Sequence, residues 1–149
     1  MIDDFEKIYG VEELQQSDIR LKIMVIKINQ LYQKEMSEDE LYDSVRGVWR
    51  ASIKRVKKVE YVFGVYNSLI VAVYKSTEWY VCKDAHDKLP RQDIQLTSKT
   101  ENRVFFVDEG FENNEPRDEA EDFYLYKSIA GLKVNQSTQN PITYLNPME

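Results

Sequence analysis

The sequence predicts an α+β domain: a small, mostly antiparallel sheet or open β-barrel with one or two flanking helices. Three observations carry that expectation. Two β-rich runs, 61–66 and 69–74, are separated only by Asn67-Ser68, the length of a tight hairpin loop. The segment Ser37-Glu38-Asp39-Glu40 is a capping box, which marks a helix start. No strand–helix–strand alternation runs along the chain, which argues against a doubly wound parallel sheet.

Each element has its own signal. Residues 5–16 place Phe5, Ile8, Tyr9 and Leu14 at helical spacing, so about residues 1–17 read as an N-terminal helical extension. Residues 19–28 are β-branched and partly alternating, which reads as a strand. In the helix opened by Ser37, Leu41, Val45 and Val48 form one stripe, with Tyr42, Arg46 and Trp49 beside it. Gly47 costs about 1 kcal/mol in a helix interior, so the helix is expected to end or bend there. If it continued, Arg46, Arg50, Lys54 and Lys57 would share a face. In the hairpin Asn67 tolerates a positive φ, and Ser68 is a weaker second turn residue than glycine. Further strands are expected at 79–82, 103–107 and 141–145. The polar stretches 84–100, which holds Pro90, and 112–122 read as loops, and 123–134 as a short helix or a strand followed by a helix.

Composition bounds the class. The 149 residues suit one domain over 1–149, and 42% hydrophobic with 12% aromatic content is enough for a packed core. No apolar run reaches the roughly 20 residues of a membrane span, so no membrane partner is expected. The N-terminus has no apolar stretch of a secretory signal, and the lone Cys82 has no partner for an internal disulfide, so a cytoplasmic location is expected.

Charge is the most informative feature for function. The chain has formal net charge -6, yet residues 45–58 hold Arg46, Arg50, Lys54, Arg55, Lys57 and Lys58 with no acid. Trp49 sits among them. Phosphates are held by such cations, and bases by a flat aromatic face. Residues 100–149 instead hold ten acids against four bases. That opposition suggests copies meeting through acidic and basic regions, or simply a solvated loop surface.

Signals for chemistry are few. With one His (His86) and one Cys, no metal-ligand set is expected, and His86 lacks the partners of a hydrolase triad. No Walker loop or dinucleotide fingerprint is present, so no cofactor is expected. Gly64-Val65-Tyr66 and Tyr124-Leu125-Tyr126 look like the GIY-YIG nuclease tripeptides but lie about sixty residues apart, with no suitable Arg following. Glu60 and Glu78 come closest to isolated acids, at the hairpin ends. No catalytic residue is assigned.

From Arg46 onward the pattern resembles a group of uncharacterised bacterial domains. The resemblance rests on Arg46-Gly47-Val48-Trp49-Arg50, Arg55, Gly64-Val65-Tyr66-Asn67, Ile70-Val71-Ala72-Val73-Tyr74-Lys75, Trp79, Lys127-Ser128-Ile129 and Gln139-Asn140-Pro141-Ile142-Thr143-Tyr144. It covers about residues 40–147. Their layout is similar to the PUA-like class (PUA, ASCH, EVE), small open barrels that hold RNA or a modified DNA base. The resemblance implies a non-catalytic nucleic-acid-binding module that reads a modified or flipped base. The alternative expectation is a protein-interaction or oligomeric subunit, with an unrecognised enzyme third. For the first, Arg46 and Arg50 are the phosphate clamp, Trp49 or Trp79 the stacking platform, Tyr66 part of an aromatic wall, Arg55 a further cation and Asn140 a base-edge reader. The partners implied are DNA or RNA.

Overall fold

A computed structural model describes residues 11–91, 93–132, 134 and 140–147. The elements in chain order are β1 (Ile23–Lys27), α1 (Glu38–Arg46), β2 (Gly47–Trp49), α2 (Ile53–Val56), β3 (Tyr61–Tyr66), β4 (Leu69–Lys75), β5 (Glu78–Val81), β6 (Val104–Val107), α3 (Glu109–Glu112), α4 (Glu119–Tyr124) and β7 (Ile142–Leu145). The strands form two sheets, ordered β4-β3-β1-β7 and β2-β6-β5. Neither closes into a barrel, so of the two forms the sequence left open this is the small sheet. Pairing is antiparallel except between β1 and β3, where Ile23 pairs with Tyr61 and Lys27 with Val65. The long excursion through α1, β2 and α2 is what allows that one parallel pair.

The four-stranded sheet is covered on both sides, which explains why β1, β3 and β4 are nearly all apolar. Met24, Ile26, Val62 and Val71 face α1 and the three-stranded sheet, packing with Val45, Val56, Trp79 and Phe106. Ile23, Val25, Phe63 and Val73 face the other way, against Leu14, Ile19, Tyr124 and Ile129. The sheet is thus the middle layer between two apolar cores.

The α1 cap forms as its sequence requires: Ser37 Oγ accepts from the Glu40 amide (3.1 Å) and Glu40 Oε1 from the Ser37 amide (3.2 Å). The helix stops at Gly47, whose φ of +155° suits glycine alone among the common residues. A Cβ there would lie 2.5 Å from the Phe105 Cβ, so the bare backbone is also what lets β2 pair with β6. Gly64 permits a second close approach, because a Cβ would lie 2.7 Å from Val45 Cγ2 where α1 crosses β3.

The hairpin is realised with both turn residues at positive φ, Asn67 at 48° and Ser68 at 66°. Asn29 Oδ1 accepts from the Asn67 amide (2.9 Å) and braces that turn.

The helix ends at Gly47 as expected, so Arg46, Arg50, Lys54 and Lys57 do not share a helical face; the chain turns into β2 and then α2. Two expectations are corrected. Residues 112–122 are not all loop, and the helix expected within 123–134 begins earlier, at Glu119. The cause is a second capping box, in which Asp118 accepts from the Glu121 amide (2.8 Å) and Glu121 from the Asp118 amide (3.3 Å). Of the expected N-terminal helix, residues 5–10 lie outside the described residues. Its continuation over 11–15 is not helical, with only a single 3-10 turn at Gln16–Asp18.

Candidate functional site

The basic run divides at Gly47. Arg46, at the end of α1, is only 8% exposed. Its Nε donates to Asp43 Oδ1 (3.1 Å), and its Nη1 points to the carbonyls of Phe106 (3.4 Å) and Lys88 (3.5 Å). The guanidinium also lies over the Tyr42 ring, 5.0 Å from its centroid. This side chain ties α1 to β6 and to the loop after β5, and it is turned away from solvent. The expected Arg46–Arg50 clamp from one helix end is therefore not formed. Arg50, Lys54, Arg55, Lys57 and Lys58 are all exposed, and none has an ion pair within 4.0 Å among the described residues.

Trp49 is half-buried at the end of β2. Its indole N–H donates to the Val45 carbonyl (2.7 Å), which fixes the ring plane. One side of the ring packs on the core, and the residue forms a wall of a cleft of about 500 Å³. Lys27, Asn29, Leu31, Asn67 and Pro141 are among the other lining residues. The cleft lies where the parallel strands β1 and β3 end, so the hairpin turn and the start of β7 both reach it. It combines an apolar floor, a fixed aromatic and several amide side chains, the usual make-up of a small-ligand site.

The remaining predicted residues fall in different places. Tyr66 stacks obliquely on Tyr32, ring centroids 4.7 Å apart, next to the turn that lines the cleft. Asn140 is exposed beside Pro141, but its Oδ1 accepts from the Ile142 amide (3.1 Å), so that acceptor serves the entry to β7. Trp79 is 3% exposed and packs on Phe106, 5.2 Å between centroids; its indole N–H meets no acceptor among the described residues. As a core residue it has no face to offer a base. Trp49, Tyr66 and Asn140 are thus gathered at one end of the four-stranded sheet, and Arg46 and Trp79 are not among them.

Arg55 belongs to a second concavity, of about 200 Å³, lined with Lys22, Lys58, Tyr144 and Asn146. Its guanidinium stacks on the Tyr144 ring at 3.8 Å from the centroid. Burial raises the Tyr144 phenol above its ordinary pKa, and the Arg55 charge opposes that rise. Lys22 precedes β1 and Lys27 ends it, so the notch and the Trp49 cleft are roughly 16 Å apart along the strand. No local pattern joins Lys22 and Tyr144 to Arg55; the β1–β7 pairing is what sets Lys22 beside Tyr144.

The acidic segment is organised separately. Asp108, 3% exposed, caps α3 by accepting from the Phe111 amide (3.1 Å) and also accepts from the Lys75 amide (2.9 Å). Burial nevertheless pushes its carboxyl above the usual range. Tyr61 donates its hydroxyl to Asp118. Glu121 is pushed up to about 7, first by burial and then by the neighbouring Asp118 and Asp108 charges, with the Asp118 amide and Arg117 opposing. Among the described residues, no three His, Cys, Asp or Glu side chains are placed to hold a metal ion. Cys82 is fully buried, and that burial raises its thiol pKa. Among the described residues no helix is long and apolar enough to cross a membrane. No family model, curated protein or solved structure matches the chain.

Proposed function

We propose that the protein is a non-catalytic nucleic-acid-binding module. The exposed cations of residues 50–58 hold the phosphate backbone, and an unpaired or flipped base, modified or not, rests against Trp49 in the neighbouring cleft. The observation that carries this reading is the exposure of five of the six strip cations, without an ion pair among the described residues, on the segment that follows the cleft-lining Trp49 in a protein of net charge -6. Arg46 has no part in it. The resemblance of its motifs to a group of uncharacterised bacterial domains, whose layout is similar to the PUA-like class, points the same way. Electrostatic contact with phosphates releases counterions, so log affinity should fall linearly with log salt, by about 0.7 per neutralised phosphate for a single strand.

The test is binding of single- and double-stranded DNA, modified DNA and RNA across a salt series, with Arg50→Ala/Lys54→Ala as control. The expected result is salt-sensitive binding whose slope in the double variant is shallower by roughly 1.4 for a single strand. Absence of binding at low salt, or an unchanged slope, overturns the reading. A second reading, association of copies through unlike charges, is favoured by the exposed acids Glu109, Glu112, Glu115, Glu119 and Asp122. Sedimentation showing a salt-dissociable oligomer would support it, and a monomer at every concentration and salt would remove it.

A further inference from the structure

We infer that the notch formed by Lys22, Arg55, Lys58, Tyr144 and Asn146 is a subsite for a phosphate monoester, the terminal phosphate of a bound strand; this rests on the nucleic-acid reading above. A phosphodiester running along a surface needs cations in a row. Here three cations from two parts of the chain line one small concavity instead: Lys22 before β1, and Arg55 in α2 with Lys58 just after it. A monoester carries up to two negative charges and three terminal oxygens, which match two ammonium groups and a guanidinium.

Three further features fit that ligand. Among the described residues no carboxylate lines the notch. The carboxylate of Glu60, the acid that follows Lys58 and Val59, is engaged by backbone: its Oε2 accepts from the Lys22 amide at 2.9 Å. The Arg55 guanidinium lies on the Tyr144 ring, so its plane is held in place while its N–H edge stays available, as bidentate recognition of a phosphate requires. A notch of about 200 Å³ at the start of β1 has room for a single phosphate group. The Trp49 cleft, roughly 16 Å away, is within reach of two or three nucleotides of an extended single strand.

The experiment compares one single-stranded oligonucleotide in 5′-phosphorylated, 3′-phosphorylated and unphosphorylated forms, by fluorescence anisotropy. Inorganic phosphate is titrated in parallel while the Tyr144 ring signals are followed by NMR. The expected result is about tenfold tighter binding of one phosphorylated form, a gain of about 1.4 kcal/mol. Arg55→Ala and Lys58→Ala should each remove that advantage with the thermal transition preserved, and Arg55→Lys should restore only part of it. Equal affinity of all three oligonucleotides, or an advantage that survives Arg55→Ala, overturns the subsite while leaving the nucleic-acid reading intact. Phosphate shifting Tyr144 with no oligonucleotide bound supports a free-phosphate site and removes the nucleic-acid reading. No response to any probe overturns both.

Discussion

Arg46 and Arg55 stand nine residues apart in one basic run, and the fold uses them as different kinds of residue. Arg46 is enclosed between Tyr42, Phe105, Asp43 and two backbone carbonyls, so its charge is spent on holding α1 to the second sheet. Arg55 is exposed, and among the described residues its guanidinium meets an aromatic ring, Tyr144, that orients it without neutralising it. Both sit over tyrosines. The difference is what surrounds the guanidinium edge: protein acceptors in the first case, solvent in the second. Cation count along a sequence therefore overstates the charge available to a ligand, and here the correction is one in six.

The sharpest break of the comparison is at the residue that separates the two halves. Gly47→Ala places a side chain at φ +155° against Phe105, and should destabilise by about 3 kcal/mol or more, read as a lowered denaturant midpoint. Arg46→Met should follow, at about 2 kcal/mol, because Asp43 and the Phe106 carbonyl lose a charge-assisted donor. Its oligonucleotide affinity, measured well below the transition, should equal that of the parent protein. Arg55→Ala should invert that pattern: stability lower by at most about 1 kcal/mol, the worth of an exposed cation–π contact, with a clear loss of binding. If both arginine variants lose stability alone, the division between them fails.

The smallest effect concerns pH and sharpens the contrast with the acidic side. Glu121 carries a folded pKa of about 7, raised above its unfolded value by burial and by Asp118 and Asp108. In that interval the folded state binds more protons, so its contribution favours folding below the unfolded pKa and is lost as pH rises through about 7. Thermal stability should fall over this window, and Glu121→Gln should flatten the profile. An unchanged slope in that variant would assign the dependence to other groups, Asp108 first, since burial raises it in the same direction.

Much of the fold was legible because its signals are local. The Ser37 box, the stop at Gly47, the Asn67-Ser68 hairpin and the strands β5, β6 and β7 each follow from neighbouring residues. The Asp118 box went unread, since an acidic, proline-bearing stretch looks like loop when its apolar partner, Tyr124, is a single residue. The site was less legible. Trp79 and Trp49 have the same composition cues, yet Trp79 lies in the middle of the packed face between sheets and Trp49 at its margin. Asn140 was readable as polar and exposed, while its use as a cap on Ile142 depends on backbone geometry.

By itself the sequence determined the class of fold, the hairpin, the first helix and the place of the cationic run, since each depends on spacing over a few residues. Tertiary structure alone decided which cations face water, which tryptophan meets a cleft and which distant residues join Arg55. Those outcomes depend on the parallel β1–β3 pair and the antiparallel β1–β7 pair, the second of which brings together residues more than a hundred positions apart. No local pattern encodes such a juxtaposition, because the energy that selects it is burial of two apolar faces of one sheet, summed over the whole chain.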